Sequence, residues 1–233
     1  MAMSYVVFLI LAVVCAALAA ALIWYERNHS PAMNSERADW AAQREFVYSA
    51  ADPSLHDEFH RGGMAVPGDP AIVDVAHGAY FGAAAYVFDL QETATIVAVS
   101  RGASSGALLD LRPEHRHAPG EPGMEPLGAL GPRVLYTNNA EVARRVADRR
   151  MITFAEHVPD YIESLWNEGE WALASMALTE DPEDLDEALE AVRRFGDLLR
   201  VLPPEGHARV VTSGGPRDPG QPVPVRSGKE SGR

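Results

Sequence analysis

The first 25 residues contain no charged side chain, and the stretch Tyr5–Tyr25 (YVVFLILAVVCAALAAALIWY) is almost wholly apolar. As a helix rising 1.5 Å per residue it measures roughly 31 Å, the thickness of a bilayer's hydrocarbon core. Trp24 and Tyr25 close it with an interfacial aromatic pair, and Tyr5 stands at the other end. A cleaved secretory signal needs a basic start and a shorter apolar stretch, and the leading MAMS has neither Lys nor Arg. A lipoprotein signal needs a small residue before Cys15, where Val14 stands. The pattern predicts a retained single transmembrane helix over residues 1–25.

No basic residue precedes the span, whereas Arg27, Arg37 and Arg44 follow it. The expected topology is single-pass in the inner (plasma) membrane, with the soluble domain in the cytoplasm. Ala12, Ala16 and Ala20 recur every fourth residue and give a smooth helix face, a candidate contact with another membrane helix.

Residues 26–36 read as a polar linker, 37–202 as a soluble domain, and 203–233, rich in Pro, Gly, Ser and Arg, as a disordered tail. The formal charge of −13 argues against nucleic acid as a partner. That charge is uneven: residues 151–200 hold 13 acidic and 3 basic side chains, and the tail has 5 basic against 3 acidic. One cysteine excludes an internal disulfide framework.

Within the domain, Arg37–Arg44 reads as a helical turn leading into a strand near Glu45–Ser49. Asp52-Pro53 reads as the start of a helix that Gly62-Gly63 stops. Segments 71–76 and 79–90 read as strands turning at His77-Gly78. Thr95–Ser100 and Ala107–Leu111 read as a pair across a Gly/Ser turn, 113–132 as a loop, and Arg133–Thr137 as a strand. Asn138 reads as the cap of one arginine-bearing helix through Arg150. Tyr161–Trp166 and Glu170–Met176 read as a hairpin. Asp181-Pro182 opens an amphipathic helix with Leu185, Ala188, Leu189, Val192, Phe195 and Leu199 on its apolar stripe. The expected fold is α+β, a mostly antiparallel sheet flanked by helices, with one N-terminal transmembrane helix.

No constellation completes a catalytic set. Gly102-Ala-Ser-Ser-Gly106 fits the pattern of a hydrolase nucleophile elbow, which would make Ser104 the nucleophile of a membrane-tethered serine hydrolase. An elbow must open a helix, however, and ALLDLRP follows. His56 and His60 stand one helical turn apart, but Asp57 occupies the place of the catalytic Glu. His115-Arg116-His117 reads as a solvated loop. There is no phosphate-binding or dinucleotide-binding glycine loop, and no cofactor is expected. Arg144, Arg145, Arg149 and Arg150 form a basic cluster that suits either anionic headgroups or pairing with the acidic stretch 156–190, the reading favoured here. Arg144, Arg145 and Arg149 are candidate partner contacts. Small apolar and aromatic residues over 72–90 allow an apolar-ligand (lipid) carrier, or simply fill a sheet core.

The order of these features carries a resemblance: an N-terminal apolar span, R-A-D-W-A, F-V-Y-S-A-A-D-P-S-L, A-Y-F-G-A-A-A-Y-V-F-D-L, T-I-V-A-V-S, the hairpin L-W-N-E-G-E-W-A-L, and a final Leu-rich helix. Over residues 5–203 the chain resembles the trehalose monomycolate transport factor A family of mycolic-acid bacteria. The resemblance implies a non-enzymatic, membrane-anchored accessory factor on an unusual mixed sheet. Such a factor acts with an integral-membrane lipid transporter, and the family supplies no catalytic residues.

Overall fold

A computed structural model describes residues 35–205. The expected span at 5–25, its Ala12, Ala16 and Ala20 face, the rest of the linker and the tail beyond residue 205 lie outside the described residues. Among the described residues no helix is long and apolar enough to cross a membrane.

The strands are β1 (Val47–Ala51), β2 (Ile72–Tyr80), β3 (Ala83–Leu90), β4 (Ala94–Ser100), β5 (Leu109–Pro113), β6 (Glu125–Leu130), β7 (Arg133–Thr137), β8 (Ile162–Glu168) and β9 (Trp171–Met176). They form one nine-stranded sheet in the order β1-β2-β3-β4-β9-β8-β5-β7-β6. Every pair in it is antiparallel, so the sheet is not mixed. The helices are α1 (Ser35–Gln43), α2 (Ala140–Val146), α3 (Arg149–His157) and α4 (Pro182–Leu198).

All four helices lie on one face of the sheet. Their buried residues, from Trp40 and Ala41 of α1 to Leu189 and Phe195 of α4, join Val97, Leu109, Leu111, Leu165 and Ala174 in one core. The alternate residues of the same strands, among them Phe88, Ile96, Trp166 and Leu173, form a second core with Leu55, Phe59 and Met64 of the segment that covers the other face. Burial on both faces is why the central strands read as nearly continuous apolar runs. The α4 prediction holds closely: the Asp181 carboxylate accepts from Glu183 N at 2.9 Å, Pro182 opens the helix, and every residue of the expected stripe is buried.

Several expectations need correction. The β2–β3 turn falls at Phe81-Gly82 and not at His77-Gly78. Gly78 sits inside β2 because Phe46 packs on it; a Cβ there would come within 2.5 Å of that ring. Asp52 caps only a single 3₁₀ turn, Pro53–His56. Strands β4 and β5 are not a hairpin: β4 pairs with β3 and β9, whereas β5 pairs with β7 and β8. Residues 113–132 contain edge strand β6, hidden from sequence by Pro126 and Gly128, which an edge tolerates. The expected single helix 138–150 is two helices. Asn139 caps α2 and Asp148 caps α3, while the Asn138 side chain bridges Leu108 N and Gly106 O.

Helix α1 is riveted to the sheet by Arg37, which is fully buried. It donates to Asp89 at 3.2 Å and to Thr179 O at 2.9 Å, and Thr95 Oγ1 adds a 2.7 Å bond to the same carboxylate. Burial pushes the Asp89 carboxyl upward, and the Arg37 charge opposes that shift. Trp40 Nε1 and the Arg44 guanidinium both donate to Asp186, tying α1 to α4.

Candidate contact surface

Helices α2 and α3 turn Met151 and Ala155, with Ala143 and Val146, into the core and leave Arg144, Arg145, Arg149 and Arg150 exposed. The acidic stretch 156–190 does not pair with them, contrary to the expectation favoured from sequence. Arg145 meets Glu141 at 3.4 Å within α2, and Arg150 meets Asp148 at 2.8 Å at the α3 cap. Arg144 and Arg149 have no hydrogen bond or ion pair among the described residues. Acids on α4 are taken by other partners: Glu190 by Arg193 and Arg194, Asp197 by Arg193 and by Arg200 just beyond the helix, and Asp186 by Arg44 of the segment after α1. Chief among the causes, the Arg193 hydrogen bonds pull the Glu190 carboxyl down to about 2. The outcome is a basic edge on α2–α3 beside an α4 that stays acidic overall but whose acids do not pair with that edge. Ile152, an exposed apolar residue, stands within that edge.

Between α3 and α4 runs a groove of about 680 Å³. Phe154, Ala191 and Leu198 give it an apolar floor, and Arg150, Glu187 and Arg194 stand on its walls. Phe154 stacks on Phe195 with ring centroids 6.0 Å apart, which joins the floor to the core. At one end Tyr161 donates to Glu187 at 3.0 Å; burial first, then that carboxylate, raises the Tyr161 hydroxyl. Sequence reasoning did not find this groove. The available signal was that Ala191 and Leu198 widen the apolar arc of α4 beyond its core-facing stripe.

The other sequence candidates disperse. Gly102–Gly106 runs into strand β5 rather than a helix, so the nucleophile elbow is not formed, and Ser104 is used through its carbonyl, which accepts from Glu205 N at 3.1 Å. His56 Nε2 lies 3.1 Å from Pro70 O, while exposed His60 stands near Glu168. Leu55 and Phe59 face the core as expected. Among the described residues no cluster of His, Cys, Asp and Glu is arranged to hold a metal. Most apolar residues of the stretch 72–90 pack into the two cores, Phe81 being exposed, and the 680 Å³ groove lies elsewhere.

The model of the family described as "Trehalose monomycolate transport factor TtfA" matches residues 3–232. The chain belongs to that family. Trehalose monomycolate transport factor A of Mycolicibacterium smegmatis is 38% identical over 194 residues, spanning 83% of this chain and 70% of the relative. The crystal structure of the mycobacterial trehalose monomycolate transport factor A superposes with a TM-score of 0.71 at 40% identity, covering 74% of this chain and 97% of that one. The resemblance carried by the strand and hairpin motifs therefore holds, and so does the antiparallel sheet with flanking helices.

Proposed function

We propose that the chain is a non-enzymatic, membrane-anchored accessory factor for trehalose monomycolate transport, acting with an integral-membrane lipid transporter. The observation that carries this reading is the family match, which runs from residue 3 and so takes in the uncharged apolar stretch as well as the folded domain. Tyr5–Tyr25 has the length and aromatic ends of a single-pass inner-membrane anchor, and the basic residues following it favour a cytoplasmic domain. The Ala12, Ala16 and Ala20 face is the proposed contact within the bilayer.

Outside the bilayer, Arg144, Arg145 and Arg149 with the adjoining α3–α4 groove are the proposed docking surface. Arg144 and Arg149, which have no acidic partner among the described residues, and the exposed Arg145 beside an apolar floor suit a partner that presents acidic and apolar groups together. The serine hydrolase alternative draws no support from Ser104, whose segment lacks the required helix.

Depletion of the protein from its host followed by complementation tests the reading. The full chain should restore arrival of trehalose monomycolate at the cell surface, and a chain lacking residues 1–25 should leave the membrane and fail to restore it. Restoration by the truncated chain would contradict an anchored factor.

A further inference from the structure

On the sheet face opposite the helices lies a second hollow, of about 270 Å³. Its base is the pair Ser164 and Ser175, directly opposite each other on β8 and β9, with hydroxyl oxygens 2.8 Å apart. Both are buried, in a row whose neighbours are Ile96, Trp166 and Leu173. Packing alone favours aliphatic side chains at such positions. Gly63 brings bare backbone over this pair, and Gly62 lies against the neighbouring Trp166 ring. A Cβ on Gly63 would fall 2.5 Å from Ser175 Cβ, so only glycine lets the main chain come so close. Thr93, Ala94 and Val66 form one side, and Arg112, Arg116, His117 and Glu163 the other.

Charge balance selects the class of ligand. Arg112 Nε and Nη2 each donate to the Asp110 carboxylate at 2.8 Å, and Arg116 pairs with Glu163. Each arginine thus brings its own acid, and His117 is the remaining ionisable group of the lining. An anion would find no excess positive charge here. A neutral polyol would find what it needs. Its hydroxyls donate and accept together, matching guanidinium N–H donors, the Glu163 acceptor and the hydroxyls of Thr93, Ser164 and Ser175, which do both. Val66 and Ala94 offer a small apolar patch for C–H groups. The volume lies below the roughly 300–1,000 Å³ of sites for drug-sized ligands, which restricts the occupant to about one sugar ring.

We propose that this hollow binds one ring of a neutral sugar. The sugar class rests on this geometry; the choice of trehalose as a probe rests on the transport reading. The test is saturation-transfer NMR on the full chain in phosphatidylcholine nanodiscs, free of glycoside detergent, with trehalose and with glucose. Ring protons of both sugars should receive saturation, and equimolar inorganic phosphate should not displace them. Glu163→Gln and Thr93→Val, both at accessible positions, should each weaken binding about tenfold with Tm unchanged. Absence of transfer at millimolar sugar, displacement by phosphate, or unaltered binding in both variants would overturn the proposal. Binding is read on the purified chain, so its failure leaves the transport reading standing, and loss of the transport reading leaves a positive result here intact.

Discussion

The two faces of the sheet are covered by different means. On one face, amphipathic helices bury Leu, Val, Ala and Phe side chains and, apart from the buried Arg37 of α1, turn most of their charges outward. On the other, a segment with only two 3₁₀ turns is pinned by carboxylates to its own backbone. Glu168 accepts from His60 N and Arg61 N at 2.9 and 3.1 Å, and Glu121 accepts from Gly62 N at 2.9 Å; the segment's own Glu58 side chain adds a tie to the sheet by accepting from Trp171 Nε1 at 2.6 Å. Helices satisfy their own backbone and can present a free charged surface. An irregular cover needs partners from far along the chain, and the gaps between those partners become hollows. The contrast separates the face proposed to meet a protein partner from the one proposed to hold a small ligand.

The largest expected effect lies where a helix is held by a buried charge. Arg37→Met strands the Asp89 carboxylate and should cost about 3–5 kcal/mol in urea unfolding. Adding Asp89→Leu should restore most of that loss. A single variant as stable as the parent would break the claim that α1 is held by this pair.

A matched pair of truncations compares the faces directly. Phe195→Ala under the helices should cost about 3–5 kcal/mol. Phe59→Ala under the irregular cover should fall at or below the lower end of that range, because this segment can collapse into the gap. Hydrogen exchange should then show Phe59→Ala loosening residues 52–66 and leaving α4 protected. Equal costs with global loosening in both would erase the distinction.

A smaller effect should come from the pins. Glu168→Gln weakens two charge-assisted bonds and should cost about 1–2 kcal/mol, read as faster exchange at residues 60–64 alone.

The smallest effect belongs to the helical face in acid. Glu190 is held at about 2 against an ordinary 4.5, so it lends stability that is complete above about 4.5 and fades as pH falls toward 2. Because the carboxylate is only partly buried and solvent screens it, that slope should be shallow. Glu190→Gln should flatten it in denaturation series run from pH 6 to pH 2; an unchanged slope would discount the Arg193 and Arg194 pairs.

The same contrast explains what sequence could reveal. Helix α4 was readable because Asp181, Pro182 and the stripe from Leu185 to Leu199 are local signals that agree with one another. Strand β7 and the β8–β9 hairpin were readable for the same reason. The cover over 52–66 was not, since its determinants are contacts such as Arg61 to Glu121 and Glu168, far apart in sequence. The helix break at Ala147-Asp148 was missed because Asp148 lies inside a run dominated by the helix formers Ala, Arg and Met, with no Gly or Pro to mark a stop; only its capping bonds to Arg150 N and Met151 N mark a new start. Of the candidate contacts, Arg144, Arg145 and Arg149 were visible as a cluster, but their freedom from the acidic stretch depended on its acids finding partners elsewhere, Glu190 within α4, Asp186 at Arg44 and Glu163 at Arg116.

The central claim is that the helix-covered face, through its arginine edge, is what meets an integral-membrane partner. Photo-crosslinkers placed singly at Arg149 and at Thr93, in the full chain and in native membranes, test it most directly. The expected result is capture of an integral-membrane transporter from position 149, abolished by Arg144→Glu, with none captured from position 93. Capture from position 93 alone, or equal capture from both faces, would contradict it.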